Sequence, residues 1–552
     1  MLACLLLLGV SGYGRDNSSK YLFKLSLADP PLLMLSPPVQ TTPKDEKKKE
    51  KHKENGAADE DETILHDFKV PQKPRRTLRA FIECGLIVGV SQANYWGKYI
   101  NWIEDWQFQF NWDDQTRRLF SSEGWRFDSN AYFTNWGHAL AGAVYYNAYR
   151  TNYLSWPRAL LYSSLTSLYW ELLVEWREVI SINDNIFTMI GGFPIGEALF
   201  QTGAFLQSRN GWLSRVVGGL FNPMRAFNRW LDRKQRLPQP DFPWHQFRIY
   251  AGQRSGKNTQ GEPNHRFAEF GLSSDLVRVP GYGRPGRLNE WRSDILSTRL
   301  DLQILLGSQG VEEFHGMART VPWGWVWQDL SAAPDGSVRG HSILAGAMMA
   351  FEVYGQRTVW EYDQKNPFFQ PWDYDQIPLP TRFTDKYSAV HLLGPRVAWR
   401  YHGSGVEWRA EFQASLDFAM TNAFALNSFT AGSSLEGMKS TLANYGYYYG
   451  LGLSVAMELG IRTAVGLEVA GWIKTWTQNS IEGMDRFAND ISDDINIQDS
   501  RSRLGATLGY RIPGSPVQIS LVYEHVRRRG QMPGIVRLEN DARLSMHLAY
   551  LF

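Results

Sequence analysis

The residues best suited to chemistry sit in an otherwise apolar stretch. Between 156 and 179, helical spacing lines up Ser164, Ser167, Glu171, Glu175 and Glu178 on one narrow stripe, while leucines such as Leu160, Leu161, Leu165, Leu168, Leu172 and Leu173 cover the rest. A helix this apolar is buried, so the stripe must meet a partner or a water-filled cavity. Carboxylates three and four residues apart raise one another's pKa unless cations or donors intervene, which makes them candidates for metal binding or proton transfer. His138, in NWGHALAGAVYYNAYR, is the candidate imidazole, and Gly142 four residues on permits close helix approach on that face. In SINDN, Ser181 is placed to cap a helix whose first turn holds Asp184. The candidate catalytic set is therefore His138, Glu171, Glu175 and Asp184, with Glu197 as a further member and Arg150, Arg158 and Arg177 as counter-ions. The competing reading of the same residues is a satisfied polar network that pins helix packing. No Gly-x-Ser-x-Gly elbow, Walker motif, dinucleotide fingerprint or Cys-based zinc pattern occurs, so neither the cofactor nor any metal is specified.

These residues need helices to hold them. Apolar and aromatic segments with helical spacing run from 77 to 235, with helices expected over 78–97, 131–150, 156–179 and 182–207, the last interrupted at Gly191, Gly192 and Pro194. NPMRAFNRW at 222–230 ends this helical domain. Before it, residues 1–14 form a short apolar run that looks like a secretory signal lacking its basic start. Residues 15–76 carry KDEKKKEKHKE and GAADEDE with little apolar periodicity, as expected of a disordered charged linker. The two cysteines, Cys4 and Cys84, make no disulfide framework.

From 244 to 552 the period changes from helical to two. Val406, Trp408, Ala410, Phe412, Ala414, Leu416 and Phe418 alternate with Glu407, Arg409, Glu411, Gln413, Ser415 and Asp417. The runs last about 10 to 13 residues, enough to cross a bilayer at a tilt, whereas strands of soluble sheets usually have about 5 or 6. About twelve such strands are expected, near 244–254, 265–278, 292–307, 312–328, 341–356, 386–401, 405–420, 445–459, 461–476, 501–512, 516–528 and 542–552. The last alternates Leu544, Met546, Leu548 and Tyr550 with Arg543, Ser545, His547 and Ala549 and ends on Phe552, resembling the C-terminal recognition signal of outer-membrane proteins. That resemblance implies insertion by the barrel-assembly machinery.

Composition agrees with a membrane barrel. Aromatics make up 14% of the 552 residues, including 22 Trp and 25 Tyr. No stretch of about 18 uncharged apolar residues occurs, which argues against a helical inner-membrane protein. The formal net charge of +2 suggests no polyanionic partner, so nucleic acid is not expected. The expected fold is α+β, an N-terminal helical domain followed by an antiparallel transmembrane β-barrel of about 12 strands. The expected location is the outer membrane of a Gram-negative bacterium, in contact with its lipid, with the helical domain in the barrel lumen or the periplasm.

The motifs of the helical part resemble the uncharacterised family catalogued as domain of unknown function 3943. The likeness rests on His138 with Gly142 and Tyr146, YYNAYR at 145–150, Glu171 and Glu175, SINDNIFTMIGGFPIGE at 181–197 and NPMRAFNRW at 222–230. It covers about 130–230, and it departs at Ala139, where the family usually has proline after the histidine. The family brings no established activity. The expected function is thus a structural, transport or binding role, with the helices plugging or capping the barrel and the ligand unspecified. The competing function is an outer-membrane enzyme acting on lipid or envelope polymer through the His/carboxylate group.

Overall fold

A strand that alternates apolar and charged residues needs lipid or a core on one side and a polar partner on the other. The computed structural model shows how both needs are met. It describes residues 75–552 apart from 103–110, 129–131, 210, 233–243, 258–264, 308–309, 335, 357–384, 434–440, 443–445 and 482–494. The signal-like segment 1–14 and the linker up to residue 74 lie outside the described residues.

The helical part contains α1 (Thr77–Trp102), α2 (Trp112–Phe120), α3 (Tyr132–Arg150), α4 (Trp156–Tyr169), α5 (Ile182–Asn185), α6 (Gly192–Ser208), α7 (Trp212–Phe221) and α8 (Pro223–Leu231). Two-residue strands β1 (Trp125–Arg126) and β2 (Ile180–Ser181) pair in parallel. Helix α4 widens into a π turn over Trp170–Val174, and a second π segment, Ile186–Gly191, joins α5 to α6. The expected interruption near Gly191 is this π segment. Helix α7 had no sequence expectation, because its ten residues present an apolar outer face rather than a buried stripe.

The barrel comprises β3 (Trp244–Gly256), β4 (His265–Val277), β6 (Ser297–Gly307), β7 (Gly310–Ala332), β8 (Val338–Gln356), β9 (Lys386–His402), β10 (Val406–Asn422), β11 (Tyr447–Thr463), β12 (Leu467–Ser480), β13 (Gln498–Arg511), β14 (Val517–Met532) and β15 (Ile535–Leu551). Each strand pairs antiparallel with its neighbours in the order β7-β6-β4-β3-β15-β14-β13-β12-β11-β10-β9-β8, and β8 returns to β7, so the sheet closes on twelve strands. A short extra strand, β5 (Gly286–Arg292), pairs with the far end of β7. The expected strand at 312–328 is the 23-residue β7. Its pairing with β8 slips between Thr320 and Trp323, around Pro322, so the alternation changes phase halfway and weakens the sequence pattern. The last strand begins at Ile535, earlier than expected, because Gly534 (φ +74°) turns β14 directly into it.

Along the ring one face is apolar and exposed: Leu451, Leu453, Met457 and Leu459 on β11, Val469 and Ile473 on β12, Leu544, Met546, Leu548 and Tyr550 on β15. The other face is charged and buried. Arg254 of β3 donates to Glu269 (3.0 Å) on β4 and to Glu313 (2.9 Å) on β7, and Arg543 of β15 meets the same Glu313 at 3.1 Å. Lys474 of β12 reaches Glu352 of β8, and Arg319 of β7 reaches Glu411 of β10. Partners several strands apart can meet only across the lumen, so charged side chains fill it. A void between Met317, Met348, His391, Ser415, Ser454 and Lys474 holds about 10 Å³, on the order of a single water.

The helices do not occupy that lumen. Phe187, Ile195 and Ala198 pack against Leu300, Ala318, Phe351, Val353, Val390 and Phe418. Thr202 Oγ1 lies 3.2 Å from Ser274 Oγ, and Phe205 packs on His245 with ring centroids 4.4 Å apart. These wall residues share the outward face. Phe418 stands opposite the exposed Leu451, and Ser274, four residues on from the exposed Phe270, lies on the same face of β4. The expectation of a domain plugging or capping the barrel is therefore corrected: the charge network already fills the interior, and the apolar outer wall is the surface that matches α6. Helix and barrel parts form one compact unit from Pro74 to Phe552.

Candidate functional site

The candidate site is built where the loop before α5 meets the π turn after α4. Ser181 caps α5 by accepting from the Asp184 backbone N–H at 3.3 Å, as its spacing suggested. The cap turns Asp184 inward, where its side chain is 3% exposed. On α3, Gly142 lets the chain touch Thr188: a Cβ at Gly142 would fall 1.8 Å from the Thr188 carbonyl oxygen. This contact brings His138 beside α5, and His138 Nε2 lies 3.3 Å from Asp184 Oδ1. His138 keeps 22% of its side chain exposed, so it is the accessible member of the pair.

Glu171 enters from the π turn. Its Oε2 accepts the Ser181 backbone N–H at 3.1 Å, and the residue is 2% exposed. The widened turn is itself held by Arg118 of α2, whose guanidinium donates to the backbone carbonyls of Glu171, Leu172, Glu175 and Glu178. Burial lowers the Arg118 pKa although Glu171, Glu175 and Glu178 all pull it up. Asparagines complete the shell. Asn183 Nδ2 donates to Asp184 Oδ1 (2.8 Å), Asn183 Oδ1 accepts the Asp128 N–H (2.7 Å), and Asn185 Oδ1 lies 3.3 Å from Ser167 Oγ. The barrel joins in, for the Tyr449 hydroxyl donates to the Asp128 carbonyl at 3.1 Å.

Not every expected member arrives. Glu175 accepts from the Trp170 indole on its own turn (2.8 Å) rather than facing His138. Glu197 belongs to a separate buried cluster with Arg150 (2.8 Å), the Tyr146 hydroxyl and Gln201. Arg150 is thus the counter-ion of Glu197, and Arg158 and Arg177 are exposed on the outer surface. Arg118, Asp128 and Tyr449 carried no sequence signal, because each comes from a distant segment. Asn183 and Asn185 were visible only as part of SINDN.

The assembled site is a His–Asp pair backed by a buried glutamate and amide donors. A carboxylate on one imidazole nitrogen orients the ring and strengthens the other nitrogen as a base. Among the described residues no group of three or more His, Cys, Asp or Glu is arranged to hold a metal ion.

No curated protein matches this chain in sequence. Among solved structures the chain is similar to the NanC porin, at 7% identity and TM-score 0.24 over 55% of this chain and 98% of that one. It is also similar to the outer-membrane protein OmpT of Vibrio cholerae, at 6% identity and TM-score 0.20 over 56% of this chain and 99% of that one. The toluene transporter TodX of Pseudomonas putida follows at 10% identity and TM-score 0.19, covering 56% of this chain and 88% of that one. Within the helical part, residues 124–224, which include His138, Glu171, Glu175, Asp184 and Glu197, match the family described as Domain of unknown function (DUF3943).

Proposed function

We propose that this is an outer-membrane protein whose barrel is a sealed anchor, and whose helices, mounted on the outer wall, carry a binding role. The observation behind this reading is the lumen. Arg254, Arg543 and Glu313, then Lys474 and Glu352, then Arg319 and Glu411 join opposite sides of the ring. A solute would have to break these pairs, and breaking a buried pair costs about 3–5 kcal/mol for each charge left alone. The ends of the strands fit the outer-membrane orientation. Short turns such as 403–405 and 464–466 lie on the side of the C-terminus, and the strand ends joined by the long connections β8–β9, β10–β11 and β12–β13 lie on the other, which fits periplasmic turns and external loops. Planar-bilayer recording tests the reading: the purified full chain is expected to give no ohmic channel steps, and stable open-channel conductance would sink it.

A second reading is favoured by one observation, the 3.3 Å approach of His138 to Asp184. In it the pair is the general base of an enzyme acting on envelope lipid, with Glu171 shaping the pocket from behind. His138→Ala, in protein that still shifts its gel mobility on heating, separates the two. Loss of a lipid-hydrolysing activity supports the enzyme; retained lipid binding without any turnover in the parent supports the binding role.

A further inference from the structure

The helices are arranged inside-out relative to a water-soluble bundle. On the segment from Trp156 to Glu178 the exposed residues are Pro157, Arg158, Leu161, Leu165, Tyr169, Leu173 and Arg177. Leu161, Leu165 and Leu173 are 55%, 51% and 59% exposed, while Ser163, Ser167 and Glu171 on the opposite side are buried. Helix α1 repeats the pattern. Leu78, Phe81, Ile82, Leu86 and Val90 are exposed, and its charges Arg79 and Glu83 turn inward to Asp232, Asn152 and Asn228. Among the described residues no helix is long and apolar enough to cross a membrane by mean hydropathy. That average mixes both faces, and here the polar residues that depress it point into the bundle.

Spacing adds an independent measure. From Arg158 to Val174 the helix climbs roughly 22–24 Å at about 1.5 Å per residue, Arg177 follows on the turn beyond it, and no exposed charge lies between the two arginines. The hydrocarbon core of a bilayer is about 30 Å thick, and arginines at helix ends place their heads at its borders. The barrel already presents an apolar surface of the same kind. The wall that α6 covers is flanked by the open belt of Ile249, Phe270, Leu548 and Tyr550. At the C-terminal side of the barrel, where Phe205 packs on His245, the neighbouring α7 and α8 expose Trp212 (71%) and Trp230 (69%), the residue type that gathers at membrane interfaces. Small residues let the inner helices touch backbone to backbone: a Cβ at Gly192 would lie 2.7 Å from Gly142 Cα.

We infer that α1 and the α4 segment face the acyl chains of the bilayer, so that the protein spans the membrane with a β-barrel and a helical bundle fused side by side. The inference rests on the membrane reading of the barrel. The His138–Asp184 pair then sits beside lipid rather than in an aqueous domain.

Spin labels test this in the full-length chain, with Cys4→Ser and Cys84→Ala as background, reconstituted in phosphatidylcholine vesicles. Single labels go at Leu86→Cys, Leu165→Cys, Arg158→Cys and, on the barrel belt, Leu453→Cys; heat-modified gel mobility verifies folding of each. The expected result is a large excess of oxygen over nickel-chelate accessibility at Leu86 and Leu165, matching Leu453, and a shift toward nickel at Arg158. Nickel access at Leu165 as high as at Arg158 overturns the inference, as does dipolar broadening that reveals a second copy seated on the stripe. If Leu453 is also open to nickel, the barrel's membrane reading fails; if Leu453 alone prefers oxygen, only the helical inference fails.

Discussion

Arg543 of β15 and Glu313 of β7 meet at 3.1 Å although β3, β4 and β6 lie between their strands in the ring. Such a contact is a strut across the lumen, and Arg254 shares its carboxylate at 2.9 Å. Glu313→Ala removes the carboxylate that the two guanidiniums share, leaving Arg254 to Glu269 and Arg543 to Asp541 with one buried negative charge fewer between them. The expected loss is about 3–5 kcal/mol, seen as a lower temperature for the folded-to-unfolded mobility shift; an unchanged transition would mean that water replaces the carboxylate freely.

Gly142 and Gly192 test the helical bundle separately from the barrel. Gly142→Ala places a methyl group against the Thr188 carbonyl, at an unrelaxed distance of 1.8 Å. Overpacking of this kind costs about 1–3 kcal/mol. Proteolysis should cut residues 130–210 faster while the barrel core keeps its heat-modifiable mobility.

Asp184→Asn removes the carboxylate beside His138 and keeps the side-chain shape. The expected stability cost is about 1–3 kcal/mol. The His138 ring should lose its orientation, which imidazole NMR reads at fixed pH as changed ring chemical shifts and broader lines relative to the parent chain.

Asp385 offers a pH signature at the mouth of the barrel. Burial pushes its carboxyl up, but the Arg501 (2.6 Å) and Arg528 (2.8 Å) guanidiniums outweigh this and hold it below the usual aspartate range. A folded pKa below the unfolded value of about 3.9 gives stability that is fully present above that value and is lost as pH falls through the lower folded one. The stability difference between the parent chain and Asp385→Asn should stay constant from neutral pH to about pH 5 and shrink only in stronger acid. A difference that vanishes near neutrality would contradict the geometry.

Phe552 closes the ring rather than dangling from it. Its backbone N–H donates to the Phe247 carbonyl at 2.9 Å, and the two rings meet edge to face with centroids 5.2 Å apart. Deleting Phe552 should lower the yield of heat-modifiable barrel, measured against total protein in the membrane fraction.

The sequence by itself determined the barrel. Period-two alternation is a local property, so Glu407 through Phe418 revealed both faces of β10, and the run from Leu544 to Phe552 revealed the closing strand. It also disclosed the Ser181 cap and the need for glycine at 142, since each acts over a few residues or through backbone size. Which side of the wall the helices cover could not be read this way. The apolar faces of α1, α4 and α6 state that they avoid water, but a buried core, a lumen lining and a lipid-facing surface all satisfy that demand. Only the tertiary structure set the lumen aside, because lumen occupancy depends on whether charges from distant strands pair with one another, as Arg543 does with Glu313, and that pairing has no local sequence signature. The same reason separates the candidate residues: His138 and Asp184 meet because Gly142 and Thr188 touch, whereas Glu197 sits about two turns past the contact and finds Arg150 instead.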